Sequence, residues 1–117
     1  MTLFEKYGGI STVQAMVRDF YREVLDDETL APFFRSTHME TLIAHQVDLI
    51  CFVLGGPCSF NLERLRSGHA GLKIQQAHFD RVAAILSDTL ADFEVEPGDQ
   101  ETIMTTVAST AELIVGA

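Results

Sequence analysis

The sequence predicts an all-α fold of four substantial helices joined by short connectors, and three observations carry that expectation. Apolar residues recur at i, i+3, i+4 and i+7 along four separate stretches, glycine or proline punctuates the chain between them, and no alternation of apolar and polar residues lasts long enough to argue a strand. At 117 residues the chain has room for one domain, 1–117, with a modest core.

The elements follow in order. Thr2-Leu3-Phe4-Glu5 has the spacing of a capping box and opens a short first helix, which Gly8-Gly9 stops. Ser11 is the expected cap of the second helix, whose Val13, Met16, Val17, Phe20, Tyr21 and Val24 fall on one face before Asp26-Asp27 end it. Pro32 leaves room only for a short helical piece carrying Phe33 and Phe34. A third helix is expected from Thr37 or Thr41 to Leu54, with Leu42, His45, Gln46 and Leu49 on one stripe, and Gly55-Gly56-Pro57 closes it. From Cys58 to Lys73 periodicity is poor and glycine frequent, which reads as a loop with a turn or two of helix around His69. Phe79, Val82, Ala83, Leu86, Leu90 and Phe93 give another long helix. The last runs from Pro97 or Asp99 through Ile103, Val107, Ala111 and Ile114, with Pro97 suited to a first-turn position.

Composition removes several function classes. A net charge of −9, from 8 basic and 17 acidic residues, opposes contact with phosphate backbones and anionic lipid, so neither nucleic acid nor a membrane surface is an expected partner. The longest stretch free of charge, residues 49–62, is interrupted by Gly55, Gly56 and Pro57 and suits no membrane span. Cys51, in an apolar helical stretch, and Cys58, beyond the glycine turn, read as reduced thiols with Cys51 in the core. The first residues lack a basic region followed by an apolar stretch, which makes the expected location cytoplasmic.

A plain bundle leaves three polar side chains unexplained. Tyr21, His45 and Gln46 sit on stripes that should face the core, where each costs about 1 to 3 kcal/mol unless something bonds to it. His69, bracketed by Gly68 and Gly71, lies on backbone free enough to offer its neutral imidazole to a metal. Taken together, the order and spacing of Phe20-Tyr21, Phe33-Phe34, Leu42-x-x-His45-Gln46, Gly55-Gly56-Pro57 and Gly68-His69-Ala70-Gly71 resembles that of group I truncated haemoglobins, over nearly the whole chain.

The resemblance implies a truncated globin: a two-over-two helical sandwich around one haem b per chain, with the helix that carries the proximal ligand largely trimmed away. It implies His69 as the proximal iron ligand, its other ring nitrogen donating to a carbonyl or water. Tyr21 and Gln46 become distal donors to bound dioxygen. Phe34 packs on the haem plane, Phe20 and Phe33 close the apolar surround, and Leu42 takes a distal position that is polar or aliphatic in relatives. Two readings stand for His45: a second axial ligand, as in some cyanobacterial relatives, or a pocket-mouth histidine touching a propionate or solvent. Arg66 and Lys73 flank the proximal segment, where they meet propionates or stay solvated. Covalent haem attachment through a histidine of the last helix is not expected, because no histidine follows His78.

The function this implies is reversible binding of dioxygen and other diatomic gases, more suited to scavenging than to oxygen transport. Nitric oxide detoxification, as a dioxygenase fed by an electron-donating reductase, is its enzymatic version. The alternative is a bis-histidyl haem protein for redox, electron transfer or ligand sensing.

Overall fold

A computed structural model describes residues 1–58, 60, 63, 67, 69 and 71–115, and every regular element among them is helical. Helix α1 (Leu3–Lys6) forms because the Thr2 hydroxyl accepts from the Glu5 N–H at 3.1 Å while the Glu5 carboxylate accepts from the Thr2 N–H, the reciprocal capping box read from the sequence. Gly8 and Gly9, at φ 107° and 75°, then turn the chain directly into α2 (Ile10–Asp26). Gly9, rather than Ser11, holds the N-cap: its carbonyl accepts from the Val13 N–H at 3.2 Å, and the helix is already under way at Ser11.

Beyond α2 the Asp27 carboxylate accepts from the N–H groups of Thr29 and Leu30, shaping the turn into a short 3-10 helix, Ala31–Phe34. Helix α3 (Met39–Val53) is capped by neither Thr37 nor Thr41. His38 takes that place, its Nδ1 accepting from the Thr41 N–H at 3.3 Å as a hydroxyl or carboxylate oxygen would. Helix α4 (Gln76–Asp92) is the long helix expected from Phe79 to Phe93.

The expected last helix is divided into α5 (Pro97–Ala108), with Pro97 in its first turn, and α6 (Ala111–Ile114). At the break, Ser109 Oγ donates to the Thr106 carbonyl at 2.5 Å and Thr110 Oγ1 to the Val107 carbonyl at 2.7 Å. These hydroxyls occupy carbonyls that a continuous helix would use, a competition that apolar spacing does not reveal.

The two cysteines are not free thiols: Cys51 and Cys58 form a disulfide, with Cα atoms 6.0 Å apart. The Gly55–Pro57 turn doubles back on α3, with the Gly56 N–H donating to the Cys51 carbonyl at 2.8 Å, and returns Cys58 to the end of the helix it has just left.

Helix α2 packs against α3 and α4, α4 packs against α5, and α3 also meets α5, so the pair α2–α3 lies against the pair α4–α5. Val13, Val17, Val24, Leu30, Leu90 and Ile103 are almost completely buried where the pairs meet. Helix α1 is fastened outside this core by a Phe4 N–H bond to the Leu54 carbonyl at 3.0 Å. Among the described residues, no helix is long and apolar enough to cross a membrane.

Candidate functional site

Between α2, α3, α4 and the 3-10 turn lies a cavity of about 320 Å³ with mostly apolar walls. Its polar lining consists of Tyr21, Thr37, His45, Gln46, His69, His78 and Thr110, and among the described residues no Asp, Glu, Lys or Arg reaches it. The space accepts a largely apolar occupant and offers it neutral donors and imidazoles.

Helix α2 supplies Tyr21, which is only 6 % exposed. Its ring stands edge-on to Phe20, with centroids 4.9 Å apart, and to Phe34 at 5.9 Å, so two aromatic neighbours fix where the hydroxyl points. That hydroxyl bonds to none of the described residues, and burial pushes its pKa well above the ordinary phenol value. It is therefore a neutral donor with no partner in the protein among the described residues.

Helix α3 supplies Leu42, His45, Gln46 and Leu49, all of which line the cavity from one stripe at helical spacing. The most deeply buried residues of α3 are Val47, Ile50 and Cys51, and of these Ile50 also lines the cavity. Leu42 and Gln46 are half-buried and His45 is exposed, so the polar members of the stripe do not sit in the packed interior as the sequence suggested. They border an opening, with His45 at its mouth.

His69 is half-buried, has helical backbone and lines the same cavity, and its carbonyl accepts from the Leu72 N–H at 3.2 Å. Phe33 and Phe34 join it on the wall. Of the flanking cations, Arg66 lies outside the described residues, while Lys73 is exposed, with left-handed backbone at φ 57°, and stands off the cavity wall.

Among the wall residues that the sequence reading did not place at the site is a histidine. His78 lines the cavity with its ring edge-on to Phe33, centroids 5.0 Å apart, and its Nδ1 accepts from the Gln75 N–H at 3.1 Å. That bond leaves the proton of the neutral ring on Nε2. The available signal was its position one residue before the buried Phe79 at the start of α4, which also suits a helix cap, and it is both.

The donor set decides what this cavity can hold. Among the described residues no cluster of three His, Cys, Asp or Glu side chains exists to coordinate a metal ion by itself. A metal here must bring most of its ligands with it, inside a flat apolar frame, and take one more from an imidazole on the wall. A porphyrin iron meets those terms, and the unpartnered Tyr21 hydroxyl supplies a donor to a small ligand in the same space.

Comparison with known proteins agrees. The family model described as "Bacterial-like globin" matches residues 2–115. The group 1 truncated haemoglobin LI410 of Chlamydomonas moewusii is 38 % identical over 111 residues, 93 % of this chain and 65 % of that protein, so the chain spans somewhat less than two thirds of that relative's length. The crystal structure of the truncated haemoglobin of Tetrahymena pyriformis in its Fe(III) form superposes with a TM-score of 0.92 at 30 % identity, covering 100 % of both chains. The 2/2 haemoglobin of Synechococcus, solved in the cyanomet state with covalently attached haem, does so with a TM-score of 0.90 at 28 % identity, again over 100 % of both chains.

Proposed function

Because the chain belongs to the bacterial-like globin family, we propose that it binds dioxygen and other diatomic gases at haem iron held by His69, with Tyr21 and Gln46 as the donors to the gas. The fold takes one haem per chain as its cofactor. When bound, haem would supply an iron able to take an imidazole ligand and to bind a diatomic gas. The observation that carries the reading is the hydroxyl of Tyr21, a buried residue: it has no partner among the described residues and opens on the cavity that His69 also lines.

In this reading His69 holds the cofactor, and Phe33, Phe34 and Leu42 exclude water from its faces. Tyr21, unionised through the neutral pH range, donates its proton's hydrogen bond to a ligand that carries partial negative charge, and Gln46 adds a second donor from α3. Two such bonds, at about 1 to 2 kcal/mol each, slow ligand escape by roughly one to three decades. Retention of that order fits scavenging, and nitric oxide dioxygenation with an electron-donating reductase is the enzymatic form we favour. Lys73 and Arg66, beside the proximal segment, are the candidates for the propionates. A cytoplasmic location, one domain, and independence from nucleic acid and membrane complete the proposal.

The place of His45 on the cavity wall is the observation behind a second reading, a bis-histidyl resting state suited to redox or sensing chemistry, in which gas binding waits for His45 to leave. Absorption spectra of the haem-loaded protein, ferric and ferrous, decide between them when wild type is compared with His45→Leu. A five-coordinate ferrous wild type supports the open site. A six-coordinate low-spin ferrous wild type that becomes five-coordinate in the variant makes His45 a ligand. His69→Ala is expected to lose haem or hold it poorly, and a native proximal-histidine spectrum in that variant would remove His69 from its role.

A further inference from the structure

We propose that the Cys51–Cys58 disulfide is a thiol-exchange site for a dithiol reductant, and that opening it releases Cys58 and the neighbouring Phe60 from the α3 wall and loosens the hold on the haem. The haem arm of this proposal rests on the function above; the exchange arm does not.

The two sulfurs differ in access. Cys51 is completely buried in α3, whereas Cys58 is half-buried beyond the Gly55–Pro57 turn, so an incoming thiolate is directed to Cys58 Sγ. Attack there forms a mixed disulfide with Cys58, breaks the Cys51–Cys58 bond and expels the Cys51 thiolate, which takes up a proton. The second thiol of the reductant, as thiolate, then displaces Cys58 from the mixed disulfide. The protein disulfide gains two electrons and ends as two thiols, and the dithiol ends as a disulfide.

The position of the bond gives its reduction a local consequence. Cys51 lies between Ile50 and Val53, and Cys58 lies two residues before Phe60; all three of these neighbours line the cavity. The bond thus ties the α3 wall covalently to the start of the segment that leads to His69. The loop it closes is short, with a sequence separation of 7, so the constraint it places on the unfolded chain is small compared with that of a long-range crosslink. Its effect falls mainly on where Cys58 and Phe60 sit against α3. The tie also has a tight seat: a Cβ added to Gly56 would lie 2.7 Å from Cys51 Sγ and equally close to the Phe4 ring, so the turn rests directly on the sulfur.

The test uses haem-loaded wild-type protein with and without dithiothreitol, counting alkylated cysteines by mass and timing haem transfer to excess apomyoglobin. The expectation is alkylation of Cys58 in the folded, reduced protein, with Cys51 reacting only on denaturation, and haem transfer faster by roughly three- to tenfold, reversed on reoxidation with diamide. Cys58→Ser should transfer haem at the fast rate with or without dithiothreitol, which separates thiol chemistry from reduction of the iron. A Cys58 that reacts only after denaturation, or transfer rates that do not change on reduction, overturn the proposal. Should Cys58→Ser fail to fold, the reduced and reoxidised wild type carries the same comparison. A chain that takes up no haem overturns the loosening together with the function above, while the cysteine count still decides the exchange.

Discussion

The Tyr7 hydroxyl donates to Asp99 Oδ2 at 2.5 Å, joining the first helix to the first turn of α5 across 92 positions of chain. The same hydroxyl accepts from the Glu96 N–H at 3.0 Å, and Lys6 Nζ reaches Asp99 at 2.6 Å and Glu96 at 3.0 Å. Four polar contacts thus fasten a helix of only four residues that has no buried residue of its own. Tyr7→Phe keeps the ring and removes both hydroxyl bonds, one of them to a charged group. Thermal melts should show a Tm lower by about 3 to 6 °C, with an unaltered Soret band because Tyr7 is not on the cavity wall.

The same cluster makes stability depend on pH. The Lys6 ammonium, then the Tyr7 hydroxyl, hold the Asp99 carboxyl below its ordinary pKa. For Asp27, burial opposes ionisation most strongly, yet Arg81 and the N–H groups of Thr29 and Leu30 together outweigh it and lower the pKa. Because both folded values lie below the unfolded ones, the stabilisation is complete above the ordinary carboxylate pKa of 3.8 and is lost as pH falls through the folded values. Lys6 has the opposite sign: its pKa is raised first by the Asp99 and then by the Glu96 bond, so its contribution is complete below the ordinary 10.5 and fades as pH rises past it. Urea midpoints across pH should form a plateau at neutral pH with an acid limb that is shallower in Asp99→Asn. An identical acid limb in that variant would contradict the assignment.

Gly56 has no room for a side chain. Its added Cβ would meet Cys51 Sγ and two Phe4 ring atoms at 2.7 Å, and neither a disulfide sulfur nor a packed ring is a flexible side-chain end that can swing away. Gly56→Ala should cost about 1 to 3 kcal/mol in chemical denaturation, through displacement of α1 or of the turn. A stability equal to wild type would show that the turn yields freely.

Ile103 tests the core apart from the cavity, being 1 % exposed and not part of the cavity wall. Ile103→Val removes one methylene where α5 meets the rest of the fold, and should lower stability by about 0.5 to 1.5 kcal/mol while leaving haem affinity unchanged. Equal losses in haem affinity and stability would mean that α5 packing and the cavity are one cooperative unit.

The long elements were legible because their signals are local: the Thr2/Glu5 box, the apolar face of α2 and the first-turn Pro97 all act within a few residues. The grouping of Tyr21, Leu42, His45, Gln46 and His69 was legible as well, in that all five line one cavity, while their roles toward haem and gas belong to the proposal. What the sequence hid depends on three-dimensional return of the chain. Periodicity assigns the Leu42–Leu49 stripe to the core, but a cavity beside the core presents the same pattern, and only packing shows that Val47 and Cys51 take the interior away from the cavity. The disulfide needed the Gly55–Pro57 turn to double back, and His38 caps a helix with a ring nitrogen where oxygen side chains were the natural candidates.

Tyr21 provides the sharpest functional test. Its hydroxyl is fixed by the Phe20 and Phe34 rings, so Tyr21→Phe deletes one donor and leaves the aromatic packing in place. Loss of a hydrogen bond worth about 1 to 2 kcal/mol should raise the dioxygen dissociation rate by roughly five- to thirtyfold in stopped-flow exchange against carbon monoxide. The phenol lies well above its ordinary pKa, so it stays protonated and the wild-type rate should not change between neutral pH and about pH 9 through Tyr21 ionisation. Gln46→Leu should act in the same direction, and the double variant reports whether the two donors work independently or Gln46 acts by orienting the hydroxyl. An off-rate unchanged by Tyr21→Phe would remove the hydroxyl from ligand retention and leave Gln46 as the donor to test.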